Sequence, residues 1–429
     1  MKKKSVCFIA TAVFLVIVIG LFALLPKKVS GVLTSDNFSV NEDELELYTQ
    51  IKMKDYVDFY RKNYGDEYLE IVALDENGDL KKQKSCYGGT WYDYFKNEAV
   101  SELKEVLACC EAAGKQGVTC EEKDIETLQA KFESLAGLDY AEKETFAALS
   151  KICALSDVYK RQYGKSLEIT QGDISKFFEA NKNEYSAVDF DYITVNYRYD
   201  FNGEDAINAA EKSAYELATE IAEAIKSEGI ESALKKYNDA LASGQIEVKL
   251  DNIGYPYDDY TQLSEWAFSG ERKVNDVTIF KGKSQYSVYR LSKVSYPLDY
   301  DLRKIKKIKY NSGYDAGIVK INSIFENLKK DCSLKMFDVY AGQQGESVVE
   351  ELAYKDNYSE SVSSWIYSDD RQASDFTVLE EGSTVYLIQF CGQSNSTYID
   401  AKITETIVNN RINSHITQLC EKYDVKYNE

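Results

Sequence analysis

Acid–base catalysis, nucleophilic hydrolysis and zinc chemistry all lean on imidazole or on paired thiols, and this chain of 429 residues carries one histidine, His415. A lone histidine cannot build a hydrolase triad without a partnered nucleophile, and its polar stretch reads as a solvated face of a helix. The nine cysteines include no Cys-x-x-Cys pair. They read as small buried hydrophobes, with a single bridge left open as an alternative. Gly-Lys-Ser occurs at Gly164 and again at Gly282, but a phosphate loop needs a further glycine five residues earlier, where Tyr159 and Val277 stand. The expectation is a chain without cofactor, metal or nucleotide. What the sequence has in abundance is 34 tyrosines. Such amphipathic rings suit either the binding of varied peptides or ordinary sheet packing, and composition leaves both open.

Charge narrows the partners. The formal net charge is −20, and −25 beyond Lys28, because the five lysines up to that point meet no acid. A surface of that sign repels phosphate, which excludes nucleic acid and argues against anionic lipid headgroups. Lys2, Lys3 and Lys4 precede an uncharged apolar run from Ser5 to Pro26. A bilayer-crossing helix needs roughly 20 such residues, so the run is expected to be a transmembrane anchor with the rest of the chain outside the cytoplasm. Cleavage after the run is the alternative.

Downstream, Asn41 reads as an N-cap with Glu44 at the capping-box position, and Leu45, Tyr48, Ile51, Tyr56, Phe59 and Tyr60 keep helical spacing. A second helix carries Trp91, Phe95, Val100, Leu103, Leu107 and Cys110 on one stripe and closes at Gly114 and Gly117. Others are expected near Glu121 to Leu135, near Tyr140 to Tyr159, and from Gln171 behind Thr170 as N-cap. At Val188 the period switches from 3.6 to 2: VDFDYITVNYRYDF alternates as a strand, and an alanine-rich amphipathic helix follows as far as Gly229. Three prolines in the whole chain leave the boundaries without flexible linkers.

The most specific pattern is a repeat. Trp266, Ser269, Arg272, Asp276 and Thr278 are answered 99 residues later by Trp365, Ser368, Arg371, Asp375 and Thr377. Upstream, ALKKYND around Leu234 is answered by SLKMFDV around Leu334 at an offset of 100. Two blocks at nearly one offset imply a duplicated module. The repeated tryptophans read as core, and each Arg–Asp pair as fixing a turn before a strand.

The order, read on the first copy, is strand, long helix, short helix, a Gly-Tyr turn at Gly254 and Tyr255, an aromatic segment and two closing strands. It resembles the parvulin-type peptidyl-prolyl isomerase domain of SurA/PrsA-like foldases. Ala267 and Phe268 fit that family's Ala-Phe element, Asn275 to Thr278 stands at its turn, and Gln285 to Val288 at its closing strand. The helix from Ile169 resembles the segment that precedes such domains, so the resemblance spans nearly everything beyond the apolar run. It implies an α+β fold laid out as an anchor (1–28), a SurA-like helical domain (29–185), two tandem parvulin-like domains (186–298 and 299–397), and a C-terminal helix (398–429) returning to the helical domain.

The family's catalytic histidines would fall at Tyr192 and Ser287, and none enters the second copy. Its pocket phenylalanine falls near Leu263 and its methionine near Asp259. The resemblance therefore implies no catalytic residues. It implies a peptide groove of Tyr192, Leu263, Phe268, Tyr286 and Ser287, with a second of Val362, Tyr367 and Tyr386. The expected function is chaperone-like binding of unfolded or nascent secreted polypeptides at the cell membrane, with weak or no isomerase turnover. An active isomerase with an atypical site and a scaffold for one fixed partner are the alternatives. Prolyl rotation crosses a barrier of ~18–20 kcal/mol without a required nucleophile, so an apolar pocket alone could favour the twisted amide.

Overall fold

A computed structural model describes residues 31–136, 143–197, 204–258, 261–311 and 313–428. It is α+β, with three antiparallel sheets. The fold class expected from sequence is corrected in one respect. Among the described residues no helix is long and apolar enough to cross a membrane, and the Ser5–Pro26 run lies outside them. The longest described helices have the length but not the continuous apolarity: each buries one stripe and leaves charged residues on the other.

The described residues fall into two compact units, one up to Ile169 together with residues 406–428, the other Thr170–Glu405. The first unit begins with β1 (Leu33–Thr34) and β2 (Ser39–Val40), which pair with each other, and β1 also pairs with the last strand. Helix α1 (Glu42–Tyr64) starts with a closed capping box: Glu44 N donates to Asn41 Oδ1 at 2.9 Å, and Asn41 N donates to Glu44 Oε2 at 2.8 Å. After α2 (Glu67–Ile71) come α3 (Trp91–Gln116), α4 (Glu122–Ala136) and α5 (Lys143–Ser166). Leu45 and Ile51 meet Leu103, Leu107, Phe132 and Leu149 in one core. Burying each such side chain stabilises the fold by about 1.5–3 kcal/mol. Within that core the carboxylate of Glu111 is almost fully buried, yet it is satisfied. It accepts from Ser35 Oγ (2.8 Å), Asn37 N (2.6 Å) and Asn37 Nδ2 (2.8 Å), which holds the β1–β2 turn against α3.

The second unit opens with α6 (Gln171–Ala180), capped by Thr170 in another closed box. Its first module is β3 (Ser186–Asn196), α7 (Glu204–Glu228), α8 (Ile230–Lys236), α9 (Asn238–Ala242), β4 (Ile246–Pro256), α10 (Gln262–Ala267), β5 (Val277–Lys281) and β6 (Gln285–Pro297). Its second is β7 (Asp301–Asn311), α11 (Asp315–Leu328), α12 (Leu334–Gln343), β8 (Val349–Ala353), α13 (Glu360–Ile366), β9 (Phe376–Glu381) and β10 (Thr384–Thr397). The sheets have the same order, β4-β3-β6-β5 and β8-β7-β10-β9. In each, one face is covered by the long helix: Ala218, Ile221 and Ile225 of α7 lie on Ile193, Val195 and Val288, and Ile321 and Ile324 of α11 lie on Ile308, Val385 and Leu387.

The residues matched at the 99-residue offset build one turn twice. Asn275 N donates to Leu291 O (2.8 Å) and Leu291 N to Asp276 O (3.0 Å); Ser374 N donates to Phe390 O (2.8 Å) and Phe390 N to Asp375 O (2.7 Å). Asp276 Oδ2 accepts from Lys273 N and Asp375 Oδ2 from Gln372 N, both at 3.0 Å. Arg272 and Arg371 lie over Trp266 and Trp365, 5.4 and 4.8 Å from the ring centroids. These pairs shape the approach to β5 and β9. The chain ends with α14 (Tyr398–Tyr423) and β11 (Lys426–Tyr427). Ile416, Leu419 and Tyr423 of α14 pack on Ala108, Cys109, Ala112 and Tyr159.

Candidate functional site

Strand alternation decides which side chains share a face. On β3 and β6, Ile193, Val195, Tyr286 and Val288 point to α7, so Tyr192, Thr194, Ser287 and Tyr289 point to the opposite face of the sheet. Tyr192 and Tyr289 are directly paired across the strands, their ring centroids 5.3 Å apart. Phe190 stands against both and against Tyr255. Phe280 of β5 extends the aromatic surface, 5.8 Å from Tyr289 and 6.5 Å from Trp266.

One wall of this face is α10. Its start is fixed by Thr261, whose Oγ1 accepts from Ser264 N, and by buried Ser264, whose Oγ accepts from Asp258 N at 2.9 Å. That orientation sets Leu263 and Trp266 against the sheet, half-buried, with Ala267 and Phe268 beneath them. Tyr192, Leu263, Trp266, Phe280 and Tyr289 are thus half-buried rings and one aliphatic chain on a shared surface. Burial is the main reason the Tyr289 phenol is raised above its ordinary range, so it stays a neutral hydrogen-bonding group.

The structure therefore brings Tyr192, Leu263, Phe268 and Ser287 of the expected groove together, Phe268 and Ser287 as buried floor. It does not bring Tyr286. That residue lies on the helix side, its hydroxyl donating to Glu211 Oε1 at 3.1 Å, with Lys281 also paired to Glu211. Adjacent residues of a strand cannot share a face, so Tyr286 and Ser287 exclude each other. The same rule points to Tyr289 and Phe280, which the sequence reading passed over. Asp259 lies outside the described residues.

The second module differs at this face. The residue paired with Ile388, where Tyr192 pairs with Tyr289 in the first, is Lys307. Lys307 Nζ binds Glu351 Oε1 (2.7 Å) and the Tyr358 hydroxyl (2.9 Å), and Tyr358 also donates to Glu351. Tyr358, buried, packs its ring against Tyr386, and Val362 is fully buried in the same cluster. Tyr367 donates to Ala353 O at 2.7 Å. Of the three second-copy candidates, Val362 and Tyr386 are buried in a filled core, and Tyr367 packs half-buried at its edge.

No imidazole reaches either sheet. His415 is half-buried against α5, its ring stacked on Tyr163 at 4.0 Å and its Nε2 within 2.8 Å of the Tyr159 hydroxyl. The solvated position expected from its polar neighbours is not what it occupies. Tyr159 and Tyr163 stand four apart on α5 and so offer one face to the ring. Among the described residues no group of three or more His, Cys, Asp or Glu side chains is arranged to hold a metal ion.

No family model matches this chain, and no curated protein matches it. Among solved structures it is similar to the foldase protein PrsA from Streptococcus pneumoniae str. Canada MDR_19A, at 16% sequence identity and a TM-score of 0.19, over 61% of this chain and 86% of that one.

Proposed function

We propose that this chain binds extended, unfolded polypeptide as a chaperone or foldase does, through the aromatic face of its first sheet. The observation that carries the reading is the surface of Tyr192, Tyr289, Phe280, Trp266 and Leu263, left uncovered by α7 and walled by α10. Rigid rings with polar tips hold varied apolar side chains at low entropic cost, and their hydroxyls can meet peptide groups. The clients on this reading are exported polypeptides, as the resemblance to parvulin-type foldases implies, and the place of work is extracytoplasmic. Turnover as a prolyl isomerase is not part of the proposal: Tyr192 and Ser287 stand where the resemblance would place histidines, and the second module's face is filled by Tyr358.

The test is suppression of aggregation of several unrelated denatured proteins. Tyr192→Ala with Tyr289→Ala is expected to weaken holding about thirtyfold, because two rings worth roughly 1 kcal/mol each are lost from the surface. Tyr386→Phe in the second module is expected to leave holding unchanged. Equal holding by the Tyr192→Ala/Tyr289→Ala chain would overturn the reading. Tight binding of one native partner with indifference to denatured clients would favour a scaffold instead.

A further inference from the structure

Within the first unit, the end of α1, helix α2 and the start of α3 gather a second aromatic surface that the sheet-face reading does not use. Tyr60 and Tyr68 are stacked with centroids 4.4 Å apart and planes at 5°, and Tyr64 joins them at 5.8 and 5.5 Å. Tyr87 stacks on Tyr94 at 4.8 Å. The two stacks meet through Tyr56, whose hydroxyl has those of Tyr68 and Tyr87 beside it, and whose ring contacts Tyr60 and Tyr94. The floor is core, Trp91 and Phe95, so the rings are held in place before any ligand arrives. The rim is open: Tyr64 is 63% exposed, Tyr87 56% and Phe59 56%.

Two features say what fits there. Aromatic faces are electron-rich and attract cations. Elsewhere the chain supplies its own, such as Lys293 over Tyr296 and Arg371 over Trp365, but among the described residues no Lys or Arg lies over a ring of this cluster. Along the segment that carries Tyr60, Tyr64 and Tyr68 the charge is net negative, while of the lysines before Tyr87 Lys82 is paired with Asp79 and Lys81 lies over Tyr92. Between positions 55 and 70 five carboxylates face two bases, and of those bases Arg61 is already bound by Asp58, Asp66 and Glu76. We infer that this cluster is a binding surface for lysine- and arginine-bearing segments of unfolded polypeptide, with the cations seated on the outer faces of Tyr64 and Tyr87. The nature of the partner rests on the polypeptide-binding reading above; the location and the charge preference do not.

The test uses the full chain and two dye-labelled short unfolded peptides, one with several Lys and Arg among apolar residues, its twin with citrulline and norleucine in their place. Tyr64→Ser combined with Tyr87→Ser is expected to bind the basic peptide about five- to tenfold more weakly, the loss of two exposed cation–ring contacts. The neutral twin is expected to change less than about twofold, since apolar contact at the sheet face is untouched. Tyr64→Phe with Tyr87→Phe, which keeps both rings, is expected to bind as the parent does. Both exchanges are at exposed positions, and unchanged helical circular dichroism confirms the fold. If both peptides bind but the serine exchange affects neither, or affects both equally, the inference falls and the sheet-face reading stands. Binding of neither peptide by the parent overturns both. A concentration-dependent dimer, seen by sedimentation and lost in the serine variant, would make the surface a self-contact and overturn the inference.

Discussion

At the scale of single residues, the one imidazole has a structural part. His415 is held below its ordinary 6.5 first by burial and then by the Lys422 charge. Its Nε2 lies 2.8 Å from the Tyr159 hydroxyl, which also accepts from Gln116 Nε2 at 3.3 Å. A group whose folded value is depressed in this way binds its proton more readily in the unfolded chain. Its contribution is fully present above 6.5 and is lost as pH falls from there through the folded value. The expected outcome is a melting temperature that declines as pH drops from 7 to 5, with a shallower decline in His415→Gln. An unchanged slope in that variant would refute the assignment. The spacing of Tyr159 and Tyr163 was visible in the sequence; their meeting with a histidine more than 250 positions away was not.

At the scale of elements, the duplicated turn carries a strain that its sequence did not advertise. Asn275 and Ser374, at equivalent places, adopt φ of 73° and 80°. Asparagine tolerates the left-handed region and serine tolerates it less, because its Cβ approaches the following carbonyl. Ser374→Gly is therefore expected to stabilise the chain by about 0.5–1 kcal/mol, while Asn275→Gly gains less, both read by urea denaturation. A destabilising Ser374→Gly would show that the serine side chain holds the turn by other means. Caps were the most legible part of the elements. The Asn41–Glu44 box and the Thr170 cap are local chemistry between residues three apart, and the structure shows both closed. Thr90, which caps α3 with Asp93 in the same way, was hidden behind the more conspicuous Gly88 and Gly89.

For the molecule as a whole, the thiols report on how the chain is held. Among the described residues all eight cysteines are free. Cys86 and Cys332 are exposed, while Cys109, Cys110 and Cys153 are buried, and burial pushes the Cys109 thiol up to about 11. A thiol reagent at neutral pH is expected to label Cys86 and Cys332 quickly in the native protein, and the three buried thiols only on unfolding. Reductant is expected to leave the melting temperature unchanged. A drop on reduction would reveal a bridge.

The sequence by itself determined what depends on near neighbours and on composition. It showed the acidic charge, the lone histidine, helices with their caps, the switch to alternation at Val188, and a module written twice. Alternation also contained the choice between Tyr286 and Ser287, although only the contact of Tyr286 with Glu211 made the facing side explicit. The tertiary structure alone decided how the two copies diverge. Lys307 replaces an aromatic at one position of β7, and whether that leaves a cleft depends on Glu351 and Tyr358 arriving from other segments to satisfy and bury the ammonium. A charge drawn largely out of water must find its partners wherever the fold brings them, so the filling of the second module's face is a property of packing that no local pattern records.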